Sequence, residues 1–94
     1  MLKFAVITNE KISTQTCTRS AFESFLEEVV GINFGHRQLE ESVIIEDNIL
    51  GELNLLATKL FNKNLYGTVV FINRENDEYI SITDKQLEVL YENT

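Results

Sequence analysis

The run Tyr66–Ile72 (YGTVVFI) constrains the fold more than any other part of the chain. In an extended segment successive side chains point to opposite faces, so Val69 and Phe71 share one face and Val70 and Ile72 the other. Both faces are apolar. A strand of this kind must be covered on two sides, which puts it at the centre of a sheet. Leu2–Thr8 (LKFAVIT) reads the same way. Leu2, Phe4 and Val6 share one face, and Ala5 and Ile7 share the other with Lys3.

Helices to cover such a sheet are legible in the rest of the chain. Phe22, Phe25, Leu26, Val29 and Val30 recur at helical spacing, with Arg19, Glu23 and Glu27 on the polar side. Ser20 followed by Glu23 predicts a capping box at the start, and Gly31 a stop at the end. A second helix is expected from Asp47 or Asn48 to about Asn62, with Asn64 as the stop. Its stripe is Ile49, Leu50, Leu53, Leu56, Ala57, Leu60 and Phe61. Thr83 with Gln86 predicts another capping box, ahead of Leu87, Leu90 and Tyr91.

Between these elements, Asn9–Thr18 reads as a polar loop and Ile32–Gln38 as a short strand or a turn around Gly35. Glu41–Glu46 is a short strand candidate. Asn73–Asp77 is expected to be a turn joining the central strand to Glu78–Ile82 in a hairpin. The order is β-α-(β)-β-α-β-β-α. With 94 residues and no linker or repeat, residues 1–94 are expected to form one α+β domain. Its three amphipathic helices pack on one mixed sheet.

The charge balance limits the partners. Fifteen acidic against eight basic residues give a net charge of −7, which opposes direct binding to nucleic acid or to anionic lipid. The charge is uneven. Residues 1–19 carry Lys3, Lys11 and Arg19 against Glu10. Residues 38–58 carry Glu40, Glu41, Glu46, Asp47 and Glu52 with no Lys or Arg, and 75–94 carry Glu75, Asp77, Glu78, Asp84, Glu88 and Glu92 against Lys85. Acidity of this kind aids solubility, and it also complements a basic protein surface.

Candidate chemistry is sparse. A single cysteine, Cys17, excludes an internal disulfide, and a single histidine, His36, excludes a His-rich metal site. Cys17 precedes a helix start and Arg19, a setting that can activate a thiol, with His36 as the one available imidazole. The alternative is a Cys that serves packing. Asn73, Glu75, Asp77 and Asp84 echo the spacing of a calcium loop, but Glu78 stands where glycine is required and strands flank it. Adjacent carboxylates such as Glu27–Glu28 do not face each other across a cleft, as general acid–base work needs. No phosphate-binding, zinc-protease or nucleophile-elbow motif is present. No catalytic residue, metal or cofactor is expected.

Glu41-Ser42-Val43-Ile44, followed by acidic residues, resembles the Glu-Ser-Ile edge of the small acidic inhibitors of uracil-DNA glycosylase. The likeness covers about ten residues and leaves Leu2–Thr8 and the hairpin at 66–82 unmatched. It implies carboxylates standing where DNA phosphates would bind. Carboxylates at i and i+4 on a helix lie about 6 Å apart, close to the ~7 Å between alternate phosphates of one strand. Glu23–Glu27 and Asp84–Glu88–Glu92 have that spacing.

The expected function is therefore that of a non-enzymatic acidic protein-binding module, in its most concrete form an inhibitor that mimics DNA toward a basic DNA-binding protein. The expected contact residues are Glu40, Glu41, Glu46, Asp47 and Glu52. Asp77, Glu78, Asp84, Glu88 and Glu92 form a second acidic patch. Nine Asn and nine Ile against three Ala suit an AT-rich source such as a phage or mobile element. With four apolar residues between Lys3 and Thr8 and no long apolar run, neither a signal peptide nor a membrane span is expected, which implies the cytoplasm, a host's if phage-encoded. On a helical wheel Leu55 falls opposite the apolar stripe, beside Gly51 and Thr58, and predicts a homodimer contact. The alternative is a homo-oligomeric accessory or small-ligand-binding domain without an inhibitory role.

Overall fold

A computed structural model describes residues 1–31, 34–39, 42–46 and 51–94, with 43, 44 and 46 described by backbone alone. The strands are β1 (Leu2–Ile7), β2 (Ile12–Cys17), β3 (Gly35–Leu39), β4 (Ser42–Glu46), β5 (Val69–Glu75) and β6 (Glu78–Ile80). The helices are α1 (Phe22–Val29), α2 (Leu55–Phe61) and α3 (Asp84–Glu92). The sheet runs β2-β1-β5-β4-β3, with β6 also on β5. The chain is α+β, as expected, but every strand pairing among the described residues is antiparallel, where a mixed sheet was expected.

The doubly apolar strands sit where their pattern requires. β5 pairs with β1 on one side and β4 on the other. Leu2, Phe4, Val6, Val70 and Ile72 are buried on one face under Phe22, Leu26 and Val30 of the α1 segment. Ala5, Ile7, Val69 and Phe71 are buried on the other with Ala57 of α2 and Leu90 of α3. The result is three layers, helix over sheet over two helices.

Five local expectations are corrected. The polar loop at 9–18 is in fact strand β2, paired along its length with β1. Its Ile and Thr residues favour extended backbone, and an edge strand needs little apolar surface. The Ser20–Glu23 capping box does not form. Arg19–Ala21 makes a single 3-10 turn, and α1 begins at Phe22 with Ala21 as an uncapped start. Packing of Phe22 and Leu26 sets that helix rather than its cap. It ends as predicted near Gly31, whose φ of 133° suits glycine.

The second helix is much shorter than its stripe suggested. Asn54 caps α2, and residues 52–54 are extended. Leu53 bridges to Tyr66, and the Asn54 amide donates to the Leu65 carbonyl at 2.7 Å. Residues 47–50, including Ile49 and Leu50, lie outside the described residues. The helix stops at Asn62, left-handed at φ 54° and ψ 42°, before the expected Asn64. The wheel that grouped Gly51, Leu55 and Thr58 therefore does not apply. Gly51 is outside the helix, Leu55 is its exposed first residue, and half-buried Thr58 accepts from the Leu65 amide at 3.0 Å.

The hairpin turn is also tighter than expected. β5 continues through Asn73 to Glu75, and Asn76 and Asp77, at φ 52° and 64°, form the turn. Positive φ at both central residues is the turn that matches strand twist. The capping box of Thr83 and Gln86 forms as predicted.

Candidate functional site

Three of the predicted acidic residues are held by the protein's own cations. Asp84, at the start of α3, bonds Lys3 of β1. Glu78 lies 3.7 Å from Arg19, and Asp77 lies 3.6 Å from Arg74. Arg74 in turn lies over the Tyr79 ring, and Tyr79 packs on Phe22. The hairpin carboxylates thus belong to the α1 side of the sheet. Glu88 and Glu92 are exposed on α3, which covers the other side. The second acidic group is divided between two faces rather than gathered on one.

Of the first group, Glu40, Glu41 and Asp47 lie outside the described residues. Glu46 ends β4 opposite Gly35. Glu52 is exposed beside a small cavity that Thr8, Asn9, Leu53, Asn54 and Gly67 also line. On α1, Glu23, Glu27 and Glu28 are exposed, and their spacing along one turn gives this helix an acidic outer surface.

The Lys3–Asp84 bond holds the Asp84 carboxyl below its ordinary range, through the hydrogen bond first and the ammonium charge second. A carboxyl lowered on folding stabilises the fold above its unfolded pKa and loses that contribution as pH falls through the folded one. Asp84→Asn is expected to remove a small acid-side slope in stability, measured by thermal melts below about pH 4. An unchanged profile would mean that the bond does not persist in solution.

The sheet separates the two candidate catalytic residues. Cys17 ends β2 at one edge and His36 lies on β3 at the other. Four strand spacings, about 19 Å, rule out a thiol–imidazole pair. Burial pushes the Cys17 thiol up, against a smaller pull from the terminal ammonium. It packs against the α1-side core. His36 is exposed, with its Nε2 3.3 Å from Arg74. The turn at Asn76 and Asp77 spans two residues and is no calcium loop. No group of three or more His, Cys, Asp or Glu is placed to hold a metal ion among the described residues.

Two polar assemblies escaped the sequence reading. Asn73, 6% exposed, exchanges amide hydrogen bonds with Gln86, at 2.7 Å to Oε1 and 2.8 Å from Nε2. Ser42 completes the ring, donating to Asn73 Oδ1 and accepting from Gln86 Nε2. This ring ties β4, β5 and α3 together. Beside it Leu60, Phe61, Phe71, Val89 and Leu90 line a groove of about 340 Å³ between α2 and α3, with Lys85 on its wall. Only Gln86 carried a sequence signal, as a capping residue. The second assembly centres on Asn54, whose side chain bonds Ile7, Ala57 and Gly67.

No family model, curated protein or solved structure matches the chain.

Proposed function

We propose that this protein is a non-enzymatic acidic module that binds a basic protein partner, in the most concrete form a DNA-binding protein whose groove it occupies as a DNA mimic. The carrying observation is the charge distribution. The cations Lys3, Arg19 and Arg74 are engaged with Asp84, Glu78 and Asp77. Residues 38–58 meanwhile hold five carboxylates and no Lys or Arg. A negative segment of this kind steers a basic partner, and salt screens the steering within about 8 Å at physiological ionic strength.

The test compares the wild type with two triple variants, Glu40, Glu41 and Glu46 to Gln, and Asp77, Glu78 and Glu88 to Gln. Each is used to capture proteins from lysate at low and high salt, with duplex DNA as competitor. The first triple is expected to fold normally and to slow association about tenfold at low salt. It should also flatten the salt dependence, and DNA should displace the captured protein. Stronger loss with the second triple would move the contact to the hairpin and α3. Binding unchanged by both triples, or indifferent to salt and DNA, overturns the reading.

The groove between α2 and α3 favours a second reading, a small amphipathic ligand. Its volume lies within the range of small-molecule sites, and its walls are apolar with a polar ring at one end. Ligand-induced chemical shift changes confined to Phe61, Phe71 and Val89, without salt dependence, would support that reading over the first.

A further inference from the structure

We infer that the outer edge of β2 pairs with the same edge of a second copy of this chain, giving an antiparallel two-fold dimer centred on Thr14.

The backbone polarity of β2 follows from its neighbours. Thr8 donates its amide to the Lys11 carbonyl across the turn. The Lys3 amide and carbonyl bond Ser81 and Ile82, and the Ile7 carbonyl bonds Asn54. Residues 3 and 7 therefore turn their peptide groups away from β2, and 2, 4 and 6 turn theirs toward it. In an antiparallel ladder the parity carries across the register. Cys17, Gln15 and Ser13 bond inward, and the peptide groups of Ile12, Thr14 and Thr16 point out. The Tyr91 hydroxyl, 3.4 Å from the Ile12 carbonyl, confirms the direction.

Apart from the Tyr91 hydroxyl on the Ile12 carbonyl, this edge is unguarded. Ile12–Cys17 contains no charge and no proline, and Thr14, Gln15 and Thr16 are exposed. Charged side chains, prolines and bulges are the means by which edge strands avoid pairing. β3, at the opposite edge, carries Arg37 and His36.

The occupant follows from symmetry and charge. Residues facing each other across an antiparallel pair lie on the same face of the sheet, so a two-fold axis at an edge must place a residue opposite itself. Centring it on Thr14 matches every outward group. Thr14 exchanges bonds with its own copy, and Ile12 faces the second copy's Thr16. A chain of net charge −7 repels its own copy, and the uncharged strand Ile12–Cys17 is where two copies meet with the least repulsion. In this register Glu10 falls opposite the second copy's Thr18, next to its Arg19. The half-exposed Tyr91 ring, bonded to Thr14 Oγ1 at 3.2 Å, borders the same edge. A contact this short gives a weak dimer, with Kd on the order of 0.1 mM.

Sedimentation equilibrium up to about 0.5 mM tests the proposal. Wild type is expected to show reversible dimerisation that persists in high salt. Thr14→Lys sets two ammonium groups face to face and should weaken it at least about tenfold, with the fold intact because the side chain is exposed. Thr14→Glu should do the same, and an equimolar mixture of the two variants should dimerise again. A monomeric wild type at the highest concentration overturns the inference. So does a dimer indifferent to Thr14→Lys, and so does a failure of the mixture to recover.

Discussion

Phe4→Ala is expected to lower unfolding stability by about 4 kcal/mol, the largest effect of any single substitution considered. Phe4 is fully buried, with ring centroids of Phe22 and Phe25 each 5.0 Å away. Phe22 in turn meets Tyr79 at 5.0 Å. Truncation removes the ring from the centre of the cluster that docks α1, and two helix side chains then face a void that the rigid sheet does not close. A domain of this size has about 5–15 kcal/mol in total, so the variant stands near the threshold of unfolding. Amides of α1 should exchange faster with solvent than those of β5, since α1 loses its anchor while the sheet keeps its other face. Phe4→Leu refills most of the volume and should cost about 1–2 kcal/mol. A loss under 1 kcal/mol for Phe4→Ala in urea unfolding would show that the aromatic cluster does not hold α1 to the sheet.

The sheet's centre was legible because each of its residues carries the signal by itself. Val69 and Val70 are both buried, on opposite faces, and alternation alone says so. The Thr83–Gln86 cap was legible because its partners are three residues apart. What escaped has partners far along the chain. Asn73 looks like a turn residue until Gln86, thirteen residues on, supplies an amide for it to bond. β2 looks like a loop because its stability comes from the ladder with β1 and not from apolar side chains. The stripe at 49–61 misled for the opposite reason. A 3.6-residue period persists upstream of Asn54, but the backbone bonds of 52–54 to the 65–67 segment hold that stretch extended. The acidic character of the chain was legible as charge and not as geometry. Ion pairing and the side of the sheet divide Asp77 and Glu78 from Glu88 and Glu92, and neither is encoded in local spacing.

Asn54→Ala is expected to cost about 3 kcal/mol, although the residue is polar and stands at a helix start where replacement of an exposed cap costs about 1. Asn54 is 2% exposed and uses its whole side chain. Its Oδ1 accepts from the Ala57 amide at 2.9 Å and caps α2. Its Nδ2 donates to the Ile7 carbonyl at 3.0 Å and to the Gly67 carbonyl at 2.8 Å. One amide therefore joins the end of β1, the start of α2 and the loop that enters β5. Alanine removes the cap and leaves two carbonyls without that donor, and a buried group stripped of its partner costs about 1–3 kcal/mol. Asn54→Asp separates the two roles. The carboxylate still accepts from Ala57, but it faces two carbonyl oxygens where an amide donated. Its folded pKa is then raised above the unfolded value. The variant should gain stability as pH falls through the carboxylate range and lose it as pH rises, opposite in sign to the acid-side loss assigned to Asp84. Urea melts of the two variants between about pH 4 and 7 measure both effects. Equal stability of Asn54→Asp and wild type at neutral pH would show that the cap alone matters and that the two carbonyl bonds contribute nothing.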